Sequence, residues 1–239
     1  MKVLTWLLMA LMVTSTTIAP NANAIIGGKN AGKLRGQVQF WVNGNIACSG
    51  TLIGGNWVLT AKHCIEDRGA TVHNSSIYAG SRHIGEGHRM IIAGIYKHPS
   101  LDAALLNLWN NVPNYQNVVV GYGIGSPGLN AKVSLSGWGW TEPELSPGTH
   151  LPATRLQIAS MRVNRYRYND PRIGSGDTAI QYVYNGSGVP GLGDSGAGLY
   201  ISRRIFAVHV LGDDVSNGSG VLTEALQPWI EYISGIEPS

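Results

Sequence analysis

The chain has 239 residues, of which 44% are hydrophobic and 13% are charged, so it can bury a packed core and carries too little charge for a disordered protein. Its formal net charge of +3 comes without a dense run of lysine or arginine, and we expect no nucleic acid among its partners. The 32 glycines and 11 prolines favour many short strands joined by turns, so the composition predicts an all-β fold.

The N-terminus has the three parts of a signal peptide. Lys2 supplies a positive charge, residues 3–13 are apolar apart from one threonine, and residues 22–24 (ANA) fit the small-residue cleavage pattern. A membrane anchor would need about 20 apolar residues. We therefore expect residues 1–24 to be removed on export, no membrane association, and a secreted protein that is extracellular or, in a bacterium, periplasmic. An earlier cleavage would leave a pro-segment, residues 20–24, for a second protease.

Six later segments have the alternation or the β-branched composition of strands, and one apolar stripe has helical spacing. The predicted strands are Val38–Val42, Trp57–Thr60, Val118–Val120, Val133–Ser136, Tyr182–Tyr184 and Ile205–Val210. Between them, the basic and aromatic run Arg162–Arg167 is predicted to be a solvated loop. A single C-terminal helix is predicted from apolar residues at i, i+3, i+4 and i+7, which are Leu226, Trp229, Ile230 and Ile233.

The chain contains two cysteines, Cys48 and Cys64. Export permits a disulfide, and a bridge between them would close a loop of about 16 residues, worth about 3 kcal/mol of stability. Spacing alone leaves two buried free thiols open as the alternative.

Three segments carry residues suited to nucleophilic catalysis. Gly193–Gly196 (GDSG) places Ser195 in a turn that glycines allow to bend tightly. His63 follows a predicted strand, and Asp102 stands in an apolar run where a carboxylate needs a partner. Because a serine becomes nucleophilic only when a positioned base takes its proton, these residues indicate a serine, histidine and aspartate acting together.

Five motifs in order give the chain a resemblance to a known family. They are Ile25–Gly28 (IIGG), Thr60–Cys64 (TAKHC), His98–Leu106 (HPSLDAALL), Ser136–Gly139 (SGWG) and Gly193–Gly196 (GDSG). Together they resemble the trypsin/chymotrypsin family of serine proteases over nearly the whole chain from residue 25. The resemblance implies two antiparallel six-stranded β-barrels packed face to face, with a C-terminal helix. The first barrel would span residues 25–130 and the second residues 131–239.

The resemblance also implies a role for each residue. His63 would be general base and then general acid, Asp102 would orient it, and Ser195 would attack the peptide carbonyl. The N–H groups of Gly193 and Ser195 would form the oxyanion hole. A new N-terminal amine on Ile25 would pair with Asp194, so that signal cleavage itself would activate the enzyme.

Two further features follow from the same resemblance. Cys48 and Cys64 would form the bridge that braces the histidine loop. The pocket that selects the residue before the cut would involve six residues, which are Val189, His209, Val210, Leu211, Gly212 and Gly220.

The resemblance leaves the specificity of this pocket open. Val189 stands where trypsin-like members carry an aspartate, which disfavours cleavage after basic residues. An apolar preference is favoured, and recognition of Glu or Gln through His209 is the alternative. In most members a serine stands at the position of Val210, and its hydroxyl supports the triad aspartate. We therefore expect Asp102 to have less side-chain support here.

The sequence disfavours two rival functions, a non-catalytic binding module and an esterase. A non-catalytic homologue acting as a binding module would normally have lost a triad residue. An esterase of the α/β-hydrolase type would need the triad in another order, and a G-x-S-x-G motif where Ala197 stands. The histidines lack metal-ligand spacing, and we expect no metal and no cofactor. The expected partners are polypeptide substrates and protein protease inhibitors, and the expected state is a monomer.

Overall fold

The computed structural model describes residues 25–125, 127–143 and 151–239, which form fourteen strands and two α-helices within those ranges. The strands up to residue 110 are β1 (Lys29–Asn30), β2 (Gln37–Val42), β3 (Asn45–Gly54), β4 (Trp57–Thr60), β5 (Ser75–Ala79), β6 (His88–Lys97) and β7 (Ala104–Leu108). The later strands are β8 (Gly121–Tyr122), β9 (Lys132–Gly137), β10 (Gln157–Asp170), β11 (Gly174–Ser187), β12 (Gly198–Ile201), β13 (Arg204–Gly212) and β14 (Asn217–Leu222). The helices are α1 (His63–Glu66) and α2 (Thr223–Ser234).

The first barrel is closed by six antiparallel strands in the order β2-β3-β4-β7-β6-β5. Val38 and Phe40 of β2 point into its core, as the alternating pattern predicts. Gln39, between them, is also fully buried, because its amide donates to the carbonyl of His83 and its oxygen accepts from the N–H of Gly85. Both faces of this strand are therefore covered by protein.

The second barrel is closed by the strands β9-β10-β11-β14-β13-β12, with β12 and β10 both paired to β9. The pairs within this barrel are antiparallel, and the short strand β8 adds to β13 in parallel. The two barrels and the C-terminal helix confirm the fold that the resemblance predicts.

The first and the last segments of the described chain each contact the barrel to which they do not belong. Strand β1 pairs with β10 of the second barrel, and Ile26 forms a bridge with Val189. Leu226 and Ile230 of α2 are buried in an apolar cluster that continues into the core of the first barrel. The termini thereby add apolar contacts that hold one barrel against the other.

Two predictions for local structure are wrong. Val118–Val120 lies in a turn and a loop after a 3-10 helix at Tyr115–Asn117, because the N–H groups of Val118 and Val119 bond to the carbonyl of Tyr115. Arg162–Arg167 lies in β10, where Val163 faces the core. The other five predicted strands and the helix are confirmed.

Candidate active site

His63 and Asp102 meet because neighbouring strands carry them. Strand β4 ends three residues before His63, β7 begins two residues after Asp102, and the two strands pair at Thr60 and Ala104. The carboxylate accepts a hydrogen bond of 2.9 Å from the backbone N–H of His63, and its second oxygen lies 2.7 Å from Nδ1 of the same histidine. The carboxylate thus fixes both the backbone and the ring of His63.

The hydrogen bonds around Asp102 keep its carboxyl group ionised. Burial acts to raise the pKa of this group, but the side-chain hydrogen bond and charge of His63 oppose it, together with backbone hydrogen bonds from His63 and Lys62. The net effect is a lowered pKa. The backbone of the histidine loop therefore helps to hold the ionised carboxylate of Asp102.

Ser195 lies in a turn between β11 and β12 that is docked on the first barrel. Its carbonyl accepts a hydrogen bond of 2.9 Å from the N–H of Ser49. At Gly196, a Cβ atom would stand 2.1 Å from Oγ1 of Thr60 and 3.2 Å from the N–H of Ala61, so the turn fits only because this residue is glycine. Ala61 is two residues before the histidine, so the docking brings the serine turn to the segment that carries His63.

The hydroxyl of Ser195 donates to the carbonyl of Val210 at 3.5 Å. On the other side, Nε2 of His63 lies 3.8 Å from Sγ of Cys64. Among the described residues no hydrogen bond joins the serine to the histidine. Such bonds are often long before substrate binds, and proton transfer to the ring would require the hydroxyl to rotate away from Val210.

The backbone around Ser195 leaves two donors available. Within the described ranges, no residue accepts a hydrogen bond from the N–H of Gly193 or of Ser195. Gly193 has a φ of 94°, and its carbonyl accepts from the hydroxyl of Ser49 at 3.2 Å. Free N–H groups on two residues of one tight turn are suited to binding a developing oxyanion.

Asp194 is fully buried beside these donors. Its two oxygens accept hydrogen bonds of 2.9 Å from the N–H groups of Gly139 and Gly191. Burial raises its pKa to about 7 against these two bonds, and the charge of Asp214 adds to the increase. Among the described residues no cation pairs with this carboxylate. A buried carboxylate held by two amide donors alone is destabilising, so a positive charge placed here would be strongly favoured.

Ile25 packs against the segment that leads to this carboxylate. Its side chain is fully buried in the core of the second barrel, where a Cβ on Gly188 would stand 2.7 Å from it. The carbonyl of the next residue, Ile26, accepts from the N–H of Val189. The segment therefore runs along residues 188–191, and Gly191 is a direct partner of Asp194. The signal peptide and the pro-segment predicted before Ile25 lie outside the described residues.

A cavity of about 380 Å³ opens beside Ser195. Four of the predicted pocket residues line it, which are His209, Val210, Leu211 and Gly212. Val189 and Gly220 are outside this lining, because the first pairs with Ile26 and the second with His209. The remaining wall is mainly apolar and is formed by Pro143, Pro190, Gly191, Leu192 and Val215, with Asp213 and Asp214.

The two carboxylates at the pocket were not identified from the sequence. Asp213 accepts hydrogen bonds from the N–H groups of Val215, Ser216 and Asn217, which fixes the loop after β13. Asp214 follows it directly and also lines the cavity. Two consecutive acidic residues immediately after a predicted wall strand were the available signal.

His209 is buried between the pocket and the barrel core. Its Nδ1 forms a hydrogen bond of 2.5 Å with the hydroxyl of Tyr182. Burial, followed by the charge of His63, lowers the pKa of His209 to about 3, although a backbone hydrogen bond with Ser219 acts in the opposite direction. The ring is therefore neutral at physiological pH.

The disulfide between Cys48 and Cys64 is present, so the alternative of two free thiols is wrong. It ties β3 to α1, directly beside His63. The bridge restrains the helical turn from which the catalytic candidate projects.

Comparison with known proteins places this architecture in a family. Residues 25–230 match the family model described as Trypsin. The chain belongs to the trypsin family. This trypsin-family chain is similar to an uncharacterized peptidase of Corynebacterium glutamicum, with 31% identity over 201 residues, which are 80% of this chain and 66% of the relative.

Two insect proteins match shorter stretches. A serine protease of Anopheles gambiae is 33% identical over 125 residues, which are 48% of this chain and 46% of that protein. Seminase of Drosophila melanogaster is 30% identical over 135 residues, which are 53% of this chain and 49% of that protein. The trypsin-family chain thus spans about two thirds of the bacterial relative and about half of each insect relative. None of the helices in the described ranges has the length and hydropathy required to cross a membrane.

Proposed function

We propose that this trypsin-family chain is a secreted serine endopeptidase that works through an acyl-enzyme intermediate. Oγ of Ser195 attacks the carbonyl carbon of a peptide bond while Nε2 of His63 takes the hydroxyl proton. The imidazolium, stabilised by Asp102, then gives this proton to the leaving amine, and the acyl group stays on the serine. Water attacks the acyl-enzyme in the second half of the reaction, with His63 again accepting and returning a proton. The N–H groups of Gly193 and Ser195 hold the negative oxygen in both halves.

The observation that carries this proposal is the docking of the serine turn. Gly196 packs against Thr60 and the backbone next to Ala61, while Asp102 holds the histidine that follows by two hydrogen bonds. A serine protease needs these groups from distant parts of the chain at one cleft. A purely structural role would not require the N–H groups of Gly193 and Ser195 to lack acceptors in the part of the chain that the structure describes.

Cleavage within a polypeptide is supported by an exposed strand edge. Strand β12 pairs with β13 at Gly198 and Val208, and on this side the last backbone bonds are made by His209, which donates to the carbonyl of Ala197 and accepts from the N–H of Gly196. Beyond that point Leu211 and Gly212 border the cavity. An extended peptide can add to this edge through its main chain, which leaves its side chains free to occupy the pocket.

For the pocket, we propose a preference for apolar residues before the cut. Leu192, Val210 and Leu211 provide apolar wall, and a neutral His209 offers no positive charge to a substrate carboxylate. The nearby carboxylates of Asp213 and Asp214 would repel such a group. Recognition of Glu or Gln would require the buried ring to exchange its partner Tyr182 for the substrate.

For activation, we propose that signal cleavage after Ala24 is sufficient. The new ammonium group of Ile25 would be released beside the segment that contacts the buried carboxylate of Asp194. Pairing of the two charges would remove the cost of burying the carboxylate alone and fix the loop that carries the oxyanion donors. A secreted form that starts at residue 20 would contradict this step, and N-terminal mass determination distinguishes the two forms.

The catalytic proposal is tested by casein hydrolysis with the processed enzyme and its Ser195→Ala variant. Loss of hydrolysis in Ser195→Ala is expected, with wild-type rates in the exposed-serine control Ser175→Ala. Hydrolysis at the wild-type rate by Ser195→Ala would refute the proposal.

The specificity proposal is tested with peptides that differ only in the residue before the cut. Higher kcat/KM values for Phe, Leu or Ala than for Glu, Gln, Lys or Arg are expected. A dominant preference for Glu or Gln would overturn the apolar assignment and favour the alternative through His209.

A further inference from the structure

The hairpin formed by β10 and β11 of the second barrel contacts Asp102 of the first barrel. Strands β10 and β11 have 14 residues each and are joined by a turn at residues 170–174. At this turn the carbonyl of Ile173 accepts a hydrogen bond of 2.7 Å from the backbone N–H of Asp102, and Leu101 forms a bridge with Gly174. The backbone of the aspartate is thereby bonded to a different barrel from the one that carries it.

The turn is held in shape by its own side chains. Arg172 donates two hydrogen bonds, of 2.9 Å and 2.7 Å, to the two oxygens of Asp170, and its backbone N–H donates a third. The N–H of Ile173 donates to the carbonyl of Asp170 at 2.9 Å. The hydrogen bonds from Arg172 lower the pKa of Asp170, although burial opposes them. This bidentate pair fixes the direction of the carbonyl that meets Asp102.

The contact with the first barrel is too close for a larger residue. A Cβ on Gly174 would stand 2.5 Å from Cδ2 of Leu101 and 2.8 Å from the carbonyl of Ser100. The side chain of Ile173 is buried in the same apolar cluster as Leu101. The turn is therefore seated on the segment immediately before Asp102.

We propose that residues 170–174, through the carbonyl of Ile173, are a positioning element for Asp102, and this inference rests on the proposed function. The element acts on the backbone of the aspartate and touches neither the substrate nor the reacting atoms. Because the hairpin belongs to the second barrel, it also couples the docking of the barrels to the orientation of His63.

The test uses two variants of the processed enzyme and a neighbouring control. Gly174→Ala forces the turn away from Leu101, and Arg172→Ala releases the turn from Asp170 without a clash. Ser175→Ala changes an exposed side chain next to the turn and is the control. The readouts are kcat and KM on a peptide substrate, and the proton resonance of the Nδ1–H of His63, which reports its hydrogen bond to Asp102.

Gly174→Ala is expected to lower kcat by about 10- to 100-fold, because displacements of about an ångström at a catalytic group have effects of this size. KM stays near the wild-type value, and the Nδ1–H resonance moves or broadens. Arg172→Ala gives a smaller change in the same direction, and it carries the test if Gly174→Ala does not fold. Ser175→Ala matches the wild type in each readout.

The inference is overturned if both folded variants keep the wild-type kcat and resonance, or if kcat falls while the resonance is unchanged. Failure of the proposed function is distinguishable from this result. It would appear as full hydrolysis by Ser195→Ala, whereas the resonance reports the position of Asp102 whether or not the protein is active.

Discussion

Replacing Gly196 with alanine tests the docking of the serine turn most sharply. The new methyl group would lie 2.1 Å from Oγ1 of Thr60 and 2.2 Å from the carbonyl of Ser49. The carbonyl is backbone within a strand and cannot rotate out of the way. To reach an ordinary contact of about 3.4 Å, the turn must retreat from the first barrel by about 1 Å.

This displacement acts directly on the distance between Ser195 and His63. A retreat of about 1 Å is expected to lower kcat by about 100-fold. The φ of 84° at this position adds backbone strain in alanine, which lowers the free energy of unfolding by about 1–3 kcal/mol. Both effects can be separated by measuring kcat well below the unfolding temperature.

Gly44→Ala is the matched control. Gly44 has a φ of 78°, and a Cβ there would meet nothing within 4 Å, so this variant carries the strain without the contact. Peptide hydrolysis by Gly44→Ala should stay at the wild-type rate. If Gly196→Ala and Gly44→Ala have the same kcat, the serine turn is not positioned by its contact with the first barrel.

Three further predictions concern stability. In the unprocessed chain, burial raises the pKa of Asp194 to about 7, so the stability contributed by its protonated form is present at low pH and is lost as the pH rises through 7. Relative to Asp194→Asn, the free energy of unfolding should fall by about 3 kcal/mol between pH 4 and 7, and parallel curves would contradict this. Replacing Cys48 and Cys64 by alanine should lower the free energy of unfolding in denaturant by about 3 kcal/mol and make stability insensitive to a reducing agent. Tyr182→Phe should lower it by about 1–3 kcal/mol, because Nδ1 of the buried His209 loses its partner, and an unchanged unfolding midpoint would argue against that hydrogen bond.

Much of the fold could be predicted because local patterns and tertiary structure agree. The alternation of Val38–Val42 fits a strand with one face in the core, and the stripe on α2 fits a helix that docks on the barrels. The strand predicted at Val118–Val120 is absent. Its β-branched residues fit a strand pattern, but the N–H groups of Val118 and Val119 bond to the carbonyl of Tyr115 after a 3-10 turn. A short apolar run does not reveal which partner its backbone will find.

Around the candidate site, too, some residues could be predicted from the sequence and others could not. His63, Asp102 and Ser195 could be proposed from short motifs, because the chemistry restricts which residue types can act. The turn that contacts Asp102 could not be proposed from the sequence. Its contact is made by a backbone carbonyl, which any residue carries, and depends on how the two barrels pack. Arg162–Arg167 gave no strand signal for the hairpin that carries this turn, because its charged side chains hide the inward-facing positions.

The most direct test of the central claim is to map the covalent adduct that a fluorophosphonate probe forms with the processed protein. The account predicts one adduct, located by mass spectrometry on Ser195, and its loss in His63→Ala, because the hydroxyl reacts only when the imidazole takes its proton. Labelling of another serine, equal labelling in His63→Ala, or no labelling of the folded protein would contradict it.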